Sequence, residues 1–279
     1  MMIHYKLGSI QFMICVTCLN KDLQIIFLVL ICSNILYKKK HNNLMDDSVT
    51  IKQLESIQKS SPDRVKLSGL LLKQIEERIS LLGKNPTLDD LFRMIDDFGP
   101  NSTIYDNGSF NRMARRNPFT CALSWCLPSN EIVQKISTFI GKDEPVLEIF
   151  SGRGLLAKLL QLSGINISAT DIRDQDDAFI EVEPLEASKA IQKYKPRVLV
   201  LSWAPDWDKI CVQDALLWFI KLGGTKVVWI GEYGGCGSGG EGFEKLLEEC
   251  FIQERSEMPH WITFGAPIAS DDLFLCTKR

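Results

Sequence analysis

From residue 131 to the end of the chain, short apolar runs alternate with stretches of helical periodicity, and this alternation constrains the fold most. Such spacing predicts βαβ units and therefore a mostly parallel sheet with helices on both faces. Because parallel crossovers are right-handed, the sheet is expected to be doubly wound, in an α/β fold with seven strands. The predicted strands cover 146–150, 165–172, 180–182, 198–203, 226–231, 251–258 and 273–277, and the predicted helices cover 155–162, 185–194, 212–222 and 243–250.

A glycine-rich turn joins the first predicted strand to the first predicted helix and reads Ser151-Gly152-Arg153-Gly154. Glycines let a ligand approach the backbone, and a helix N-terminus offers N–H groups that have no partner within the helix. The next strand ends at Asp171, 19 residues after Gly152. A carboxylate there can accept hydrogen bonds from ribose hydroxyls, so the pattern predicts a nucleoside-containing cofactor.

Glu148 separates the two cofactors that fit this spacing. Gly152-x-Gly154-x-x-Ala157, followed by Asp171, also fits the fingerprint of nicotinamide dinucleotides. An acid inside the first strand, four residues before the glycine, is a poor neighbour for a pyrophosphate. It is a good neighbour for a sulfonium that also carries an amino group. Charge therefore favours S-adenosylmethionine, and an NAD-binding oxidoreductase remains the alternative.

The same residues resemble the first motif of the class I S-adenosylmethionine-dependent methyltransferases, which reads acid-x-Gly-x-Gly-x-Gly. This chain has Glu148-x-Phe150-x-Gly152-x-Gly154, with phenylalanine in place of the first glycine. Phe150-Ser151-Gly152 is also similar to the first motif of cytosine-C5 DNA methyltransferases. The Pro-Cys and Glu-Asn-Val segments of that DNA family are missing here, so its activity is not expected. The resemblance implies a Rossmann-like methyltransferase fold. It also implies that the cofactor is contacted by Glu148, Phe150, Ser151, Gly152, Gly154 and Asp171.

Residues 120–279 more closely resemble a group of methyltransferase-like proteins with a Trp-Pro-Pro-Tyr-type fourth motif. This likeness implies the fold and the cofactor but no substrate class, so the methyl acceptor stays unknown. In the fourth motif, one proline and the tyrosine are missing, because residues 203–206 read Trp-Ala-Pro-Asp. The likeness is carried by residues 124–128, 201–205, 230–236 and 259–261.

The resemblance also assigns candidate residues for catalysis and for the acceptor. The end of the fourth strand faces the cofactor methyl in class I folds, which makes Ser202, Trp203 and Pro205 the candidate catalytic residues. They would supply a hydroxyl, an aromatic wall and a fixed carbonyl. We expect the acceptor pocket between Trp203, Trp125 and the turn at residues 232–235.

Two acids follow the third predicted strand, where class I enzymes place an acid for the adenine amino group. Glu186 is the better positional match and Glu183 the second. The alternative is that these acids begin a helix and complement its dipole.

Residue counts exclude several other kinds of site. Of three histidines, His4, His41 and His260, only the last lies in the predicted α/β region, so Ser-His and Cys-His catalysis and a histidine-rich zinc site are disfavoured. No metal is expected. The formal net charge is −3, with +4 on residues 1–45 and −7 on the rest. A body this acidic carries no strong signature of duplex nucleic-acid binding.

The first 44 residues form a separate apolar region. Residues 23–37 are strongly apolar and precede three lysines, but fifteen helical residues span only about 22 Å of a bilayer core of about 30 Å. Three readings stay open: a dispensable extension before Met45, a packed helix, or an anchor within residues 9–37 that leaves the body on the cytoplasmic side. The odd number of cysteines, nine, and their scatter otherwise favour a cytoplasmic protein.

Residues 45–120 are expected to form a helical region and a loop that precede the methyltransferase-like domain at 121–279. One helix begins at Ser61-Pro62 and ends at Gly83, and a second begins at a Thr87–Asp90 capping box and ends near residue 98. No sheet strand is expected before Met45. The leading functional hypothesis is a methyltransferase, and a binding or scaffold protein that kept the fold but lost catalysis is the second.

Overall fold

In the computed structural model, the described residues are 2–7, 10–15, 73–82, 85–97, 123–174, 177–205, 209–234, 239–258 and 272–279. The chain divides into two compact units, residues 1–75 with 107–121, and residues 76–106 with 122–279. Among the described residues, no helix is long and apolar enough to cross a membrane.

In the smaller unit, strand β1 (Met2–Leu7) pairs antiparallel with strand β2 (Ile10–Cys15). The prediction that no sheet strand precedes Met45 is therefore wrong. The missed signal is the Gly8-Ser9 pair between two apolar runs, which is a hairpin pattern. The predicted apolar segment at 23–37 and the loop at 100–120 lie outside the described residues.

The larger unit is built on a seven-stranded sheet with the order β5-β4-β3-β6-β7-β9-β8. Strands β3 to β7 are parallel, while β9 runs antiparallel between β7 and β8. The α/β, doubly wound and mostly parallel fold predicted from the sequence is confirmed. The strands are β3 (Val146–Ile149), β4 (Ile167–Asp171), β5 (Val182–Pro184), β6 (Val198–Ser202), β7 (Lys226–Gly231), β8 (Phe251–Glu257) and β9 (Asp272–Lys278).

Two strand predictions need correction in their bounds. The second strand of the sheet is shorter than predicted, Ile167–Asp171 rather than 165–172. The third lies at Val182–Pro184 rather than 180–182. Its proline is tolerated because β5 is an edge strand, where a missing N–H breaks no ladder bond.

Six described helices lie wholly within the larger unit, and those between the parallel strands of the sheet make the predicted crossovers. The first, α1, begins at the predicted capping box, in which the Thr87 N–H donates to Asp90 Oδ2 at 3.0 Å and the Asp90 N–H donates to Thr87 Oγ1 at 3.2 Å. Residues 73–81 are also helical, within the range predicted for the preceding helix. The six are α1 (Leu88–Asp97), α2 (Asn130–Ile140), α3 (Leu155–Leu162), α4 (Ala187–Tyr194), α5 (Lys209–Lys221) and α6 (Glu241–Cys250).

The two faces of the sheet carry different layers of the core. Side chains alternate between faces along a strand, and the residues that pack with α4, α5 and α6 include Ile149, Leu201 and Trp229. The opposite face therefore carries Glu148, which lies beside Val200 in the register, and the layer that covers this face holds α2 and α3.

The order of the strands fixes where a ligand can bind. The chain moves outward from β3 through β4 to β5 and then returns to β6 on the other side of β3. Ligands of open α/β sheets bind at such a switch point, beyond the carboxyl ends of the strands. The crevice thus lies where β3 ends at Ile149 and β6 ends at Ser202.

Candidate functional site

The turn after β3 adopts the left-handed conformations that its glycines permit. Phe150, Gly152 and Gly154 have φ values of 55°, 53° and 70°. A left-handed phenylalanine costs about 1–3 kcal/mol, so the surrounding contacts must hold it. The neighbouring Ser151 is anchored, since its N–H and its hydroxyl both donate to the Thr170 carbonyl at 3.1 Å. The turn is therefore tied to β4, the strand that ends in Asp171.

The two glycines of the turn serve different purposes. A Cβ on Gly154 would lie 2.5 Å from Ile180 Cγ2 and 3.1 Å from Val182 Cγ2, so this glycine allows close packing against the segment that leads into β5. A Cβ on Gly152 would meet none of the described atoms within 4 Å. Open space therefore lies against the backbone at Gly152, as a ligand that approaches the turn requires.

Asp171 lies where the sequence predicts and binds the turn directly. Its Oδ2 accepts the Gly152 N–H at 2.9 Å, and its Oδ1 accepts the Arg173 N–H at 3.0 Å. A carboxylate oxygen can accept more than one hydrogen bond, and Asp171 is half-buried. The carboxylate thus keeps acceptor capacity for hydroxyl groups of a ligand.

Glu148 is buried beneath the same turn, with a relative exposure of 2%. Its Oε2 accepts the Ala157 N–H in the first turn of α3 at 3.0 Å. Burial raises the pKa of Glu148 from 4.5 to about 8; the Ala157 bond opposes this rise, and the charge of Asp171 adds to it. The carboxyl is therefore largely neutral at pH 7, and a cation placed beside it would favour ionisation.

Arg153 forms a contact that sequence reasoning missed. Its guanidinium donates to the Asp177 carbonyl, at 3.1 Å from Nε and 2.7 Å from a terminal nitrogen, and pairs with the Asp177 carboxylate at 3.1 Å. It also lies 5.1 Å from the centre of the Phe179 ring, while the Phe179 N–H donates to the Arg153 carbonyl at 2.8 Å. The segment before β5 is thereby fastened to the glycine turn. Nothing in the sequence marks Asp177 as the partner.

The two acids proposed for adenine are both engaged in local structure. Glu186 is the N-cap of α4, and its Oε1 accepts the Ser188 N–H at 2.9 Å. Glu183 accepts bonds from Lys193 Nζ at 2.6 and 2.8 Å and from the Tyr194 hydroxyl at 2.6 Å. These bonds, the Lys193 bond foremost, lower the pKa of Glu183. The Glu186 contact is the one expected of an acid that begins a helix. That Glu186 also binds adenine stays a prediction.

The residues assigned to catalysis lie together at the end of β6. Ser202 is buried, and its Oγ has no hydrogen-bond partner among the described residues. Trp203 follows with a left-handed φ of 53°, and its N–H donates to the Ile230 carbonyl at 2.7 Å. Pro205 is half-buried two residues farther on. The predicted neighbour Trp125 is present, since its ring stacks on that of Trp203 with centroids 5.4 Å apart and planes 25° apart.

The turn after β7 is anchored to α6 by one backbone bond and one side-chain bond. The Gly234 N–H donates to Glu244 Oε1 at 2.8 Å, and the Tyr233 hydroxyl donates to Glu248. The bond to Glu248 is the main cause that raises the pKa of Tyr233 to about 12. Gly235 and the segment 259–261 lie outside the described residues.

Comparisons with known proteins found similarity in structure only. No protein-family model and no curated protein matches the sequence. The solved structures that resemble the chain include the N-methyltransferase NodS from Bradyrhizobium japonicum WM9, at 13% identity and a TM-score of 0.40, over 52% of this chain and 92% of NodS. Another is human N-acetylserotonin methyltransferase in complex with SAM, at 14% identity and a TM-score of 0.38, over 59% of this chain and 56% of that one.

An rRNA methylase from Streptococcus thermophilus is similar at 11% identity and a TM-score of 0.38, over 52% of this chain and 93% of that protein. At these scores the description of the fold depends on the observed strand order. Five parallel strands carry the glycine turn after β3, and an antiparallel β9 is inserted before the edge strand β8. The larger unit therefore has a class I methyltransferase-like fold.

Proposed function

We propose that the larger unit is an S-adenosylmethionine-dependent methyltransferase with its cofactor at the β3–β6 switch point. Asp171 would accept the ribose hydroxyls, and backbone N–H groups of the Ser151–Gly154 turn would face the amino-acid part of the cofactor. Glu148 would lie toward the cationic end. Glu186 remains a proposed contact for adenine, provided that its carboxylate can serve both the Ser188 N–H and the ligand.

One observation carries the proposal: one carboxyl group binds a backbone N–H of the glycine turn, and a second binds a backbone N–H in the first turn of the helix that follows it. Asp171 accepts the Gly152 N–H, and Glu148 accepts the Ala157 N–H, while the space at Gly152 is open. Hydroxyl groups suit the half-buried carboxylate, and a cation suits the buried one. A pyrophosphate at the turn would not favour the ionised form of Glu148 as a cation does, so it does not match the buried carboxyl. These contacts support the methyl donor over a nicotinamide dinucleotide.

The residues present fit the chemistry of methyl transfer. When bound, the cofactor supplies an electrophilic methyl group on a sulfonium. The chain's task is then to align the acceptor and exclude water rather than to form a covalent intermediate. Ser202, at the end of β6, offers a hydroxyl that has no hydrogen-bond partner among the described residues and could orient the acceptor. Pro205 restricts the backbone of the residue before it, and the Trp203 ring would limit the approach of the acceptor to one side.

Titration calorimetry tests the cofactor assignment. The chain should bind S-adenosylmethionine or S-adenosylhomocysteine, and Asp171→Ala should weaken this binding by about 1.5–3 kcal/mol, as expected for hydrogen bonds to a charged group. Ile252→Ala, on the exposed surface of the edge strand β8, is the matched control and should leave the affinity unchanged. Tight binding of NAD, without any response to S-adenosylmethionine, would overturn the proposal.

A second measurement separates an enzyme from a binding protein with the same fold. Methyl transfer from labelled cofactor to a library of amines, phenols, peptides and nucleic acids should yield a labelled product. If the cofactor binds but no product forms across that library, the scaffold alternative is favoured.

A further inference from the structure

Beside the proposed cofactor site, the chain presents a pair of stacked tryptophans. Trp203 leaves the end of β6, and Trp125 comes from the segment before α2. Their rings stack at 5.4 Å, and Trp125 remains 39% exposed. An indole exposed to this extent at a switch point offers a flat apolar surface to a ligand.

The backbone at this edge is held in a strained form. Trp203 and Phe150 both have left-handed φ values, and they follow β6 and β3, which are neighbours in the sheet. Bulky residues rarely adopt this conformation, and such strain tends to concentrate at functional sites. For Trp203 it is maintained by the N–H bond to Ile230 at 2.7 Å. The ring of Trp203 is thus positioned by the main chain of two adjacent strands.

A buried polar group lies one residue from the stacked pair. Ser202 is 9% exposed, and its Oγ has no hydrogen-bond partner among the described residues. Since Val200 is paired with Glu148, Ser202 lies on the same face of the sheet as that acid, one alternation closer to the carboxyl edge. A buried hydroxyl without a partner costs free energy, and a polar group on a ligand would remove this cost.

The segments that carry the pair lack the basic residues that nucleic-acid binding would need. No lysine or arginine occurs in residues 123–129, 198–205 or 229–234, and the last segment contains Glu232. Binding of nucleic acid depends on basic residues that contact phosphates. The three segments that carry the two indoles and the turn after β7 supply none of these residues.

From the stacked indoles, the unpaired Ser202 hydroxyl and the absence of basic residues in those segments, we infer that the methyl acceptor is a small, flat aromatic or heteroaromatic molecule. It carries an amine or a hydroxyl group. Its ring lies against the Trp125–Trp203 pair, and its polar group bonds to Ser202. The inference rests on the proposed function, because it names the substrate class of the same site.

The test is saturation-transfer NMR in the presence of saturating S-adenosylhomocysteine, which keeps the probes out of the cofactor site. The probes are 6-hydroxyquinoline, quinoline and cyclohexanol, with a short thymidine oligonucleotide as competitor. We expect 6-hydroxyquinoline to bind best and cyclohexanol not to bind. Trp125→Leu should weaken the binding of 6-hydroxyquinoline at least fivefold, because stacking on an aromatic ring is lost. Ser202→Ala should remove the preference for 6-hydroxyquinoline over quinoline.

Trp218→Leu is the matched control and should change probe binding less than twofold. Trp218 lies on α5 and packs against the core on the opposite face of the sheet. S-adenosylhomocysteine affinity, measured on every variant, reports whether the fold and the cofactor site are intact. The inference is wrong if S-adenosylhomocysteine binds but the probes do not, if Trp125→Leu has no effect, or if the oligonucleotide displaces the probe. If S-adenosylhomocysteine itself fails to bind the wild-type chain, the proposed function is what fails.

Discussion

Replacing Glu148 with glutamine should change how the stability of the protein depends on pH. The folded carboxyl has a pKa of about 8 against an ordinary value of 4.5, so the folded state holds this proton more tightly than the unfolded state. Stability from the neutral carboxyl is fully present below pH 4.5 and is lost as the pH rises toward about 8. Above that value the loss is complete, because both states are then ionised.

The size of the effect follows from the interval between the two pKa values. At about 1.4 kcal/mol per pH unit, the difference between 4.5 and about 8 corresponds to at most ~5 kcal/mol of unfolding free energy. The glutamine variant does not titrate, but its side-chain oxygen can still accept the Ala157 N–H. Its stability relative to the wild type should therefore rise by several kcal/mol between pH 5 and pH 9.

Urea unfolding, followed by tryptophan fluorescence at several pH values in this range, measures the difference directly. Glu249→Gln is the matched control, because this acid is exposed on α6 with 57% of its side chain accessible. It corrects for the general effect of removing one negative charge. Parallel curves for the wild type and Glu148→Gln would contradict this prediction, since they would mean that Glu148 is ionised in the folded protein throughout this pH range.

Three further predictions concern the ionisation of Glu148, the glycine turn and the cap of α1. Binding of the cationic cofactor should release a proton from Glu148 near pH 7, so the affinity for the cofactor should rise toward pH 8. The calorimetric heat of binding should then vary with the ionisation enthalpy of the buffer, and a heat independent of the buffer would contradict this. Gly154→Ala should lower the unfolding free energy by at least about 2 kcal/mol, because its Cβ would lie 2.5 Å from an Ile180 methyl carbon and its φ is left-handed. Gly152→Ala should cost only about 1 kcal/mol in the same urea experiment, because only the left-handed φ opposes it. Equal costs would contradict the different packing of the two glycines. Thr87→Ala should cost about 1 kcal/mol through loss of the α1 cap, and hydrogen exchange should show faster opening of the first turn of α1; unchanged exchange there would show that the cap contributes nothing.

The sheet and the positions of Gly152 and Asp171 at its edge could be predicted because their signals are local in the sequence. Alternating runs gave the strands of the larger unit, and the spacing from Gly152 to Asp171 placed both residues at one edge, where they are joined by a bond of 2.9 Å. The acid at Glu148 was found by its position before the turn. Its raised pKa could not be found, because burial depends on how α3 covers the sheet.

The parts that could not be predicted depend on partners far apart in the chain. The Arg153–Asp177 pair joins two loops, and no spacing rule links them. The left-handed φ of Trp203 is maintained by a bond to Ile230 on the next strand, which becomes visible only in the sheet register. The β1–β2 hairpin escapes prediction for a different reason: only Gly8-Ser9 separates its two strands, and a longer apolar segment follows them.

A structure determined with S-adenosylhomocysteine shows most directly whether the glycine turn between Glu148 and Asp171 binds S-adenosylmethionine. We predict that the ribose hydroxyls donate to Asp171, that the amino-acid part lies against the backbone of the turn on the side of Glu148, and that the sulfur faces the end of β6 at Ser202. A complex in which the ligand binds elsewhere, or crystals that remain without the ligand at saturating concentration, would contradict the claim.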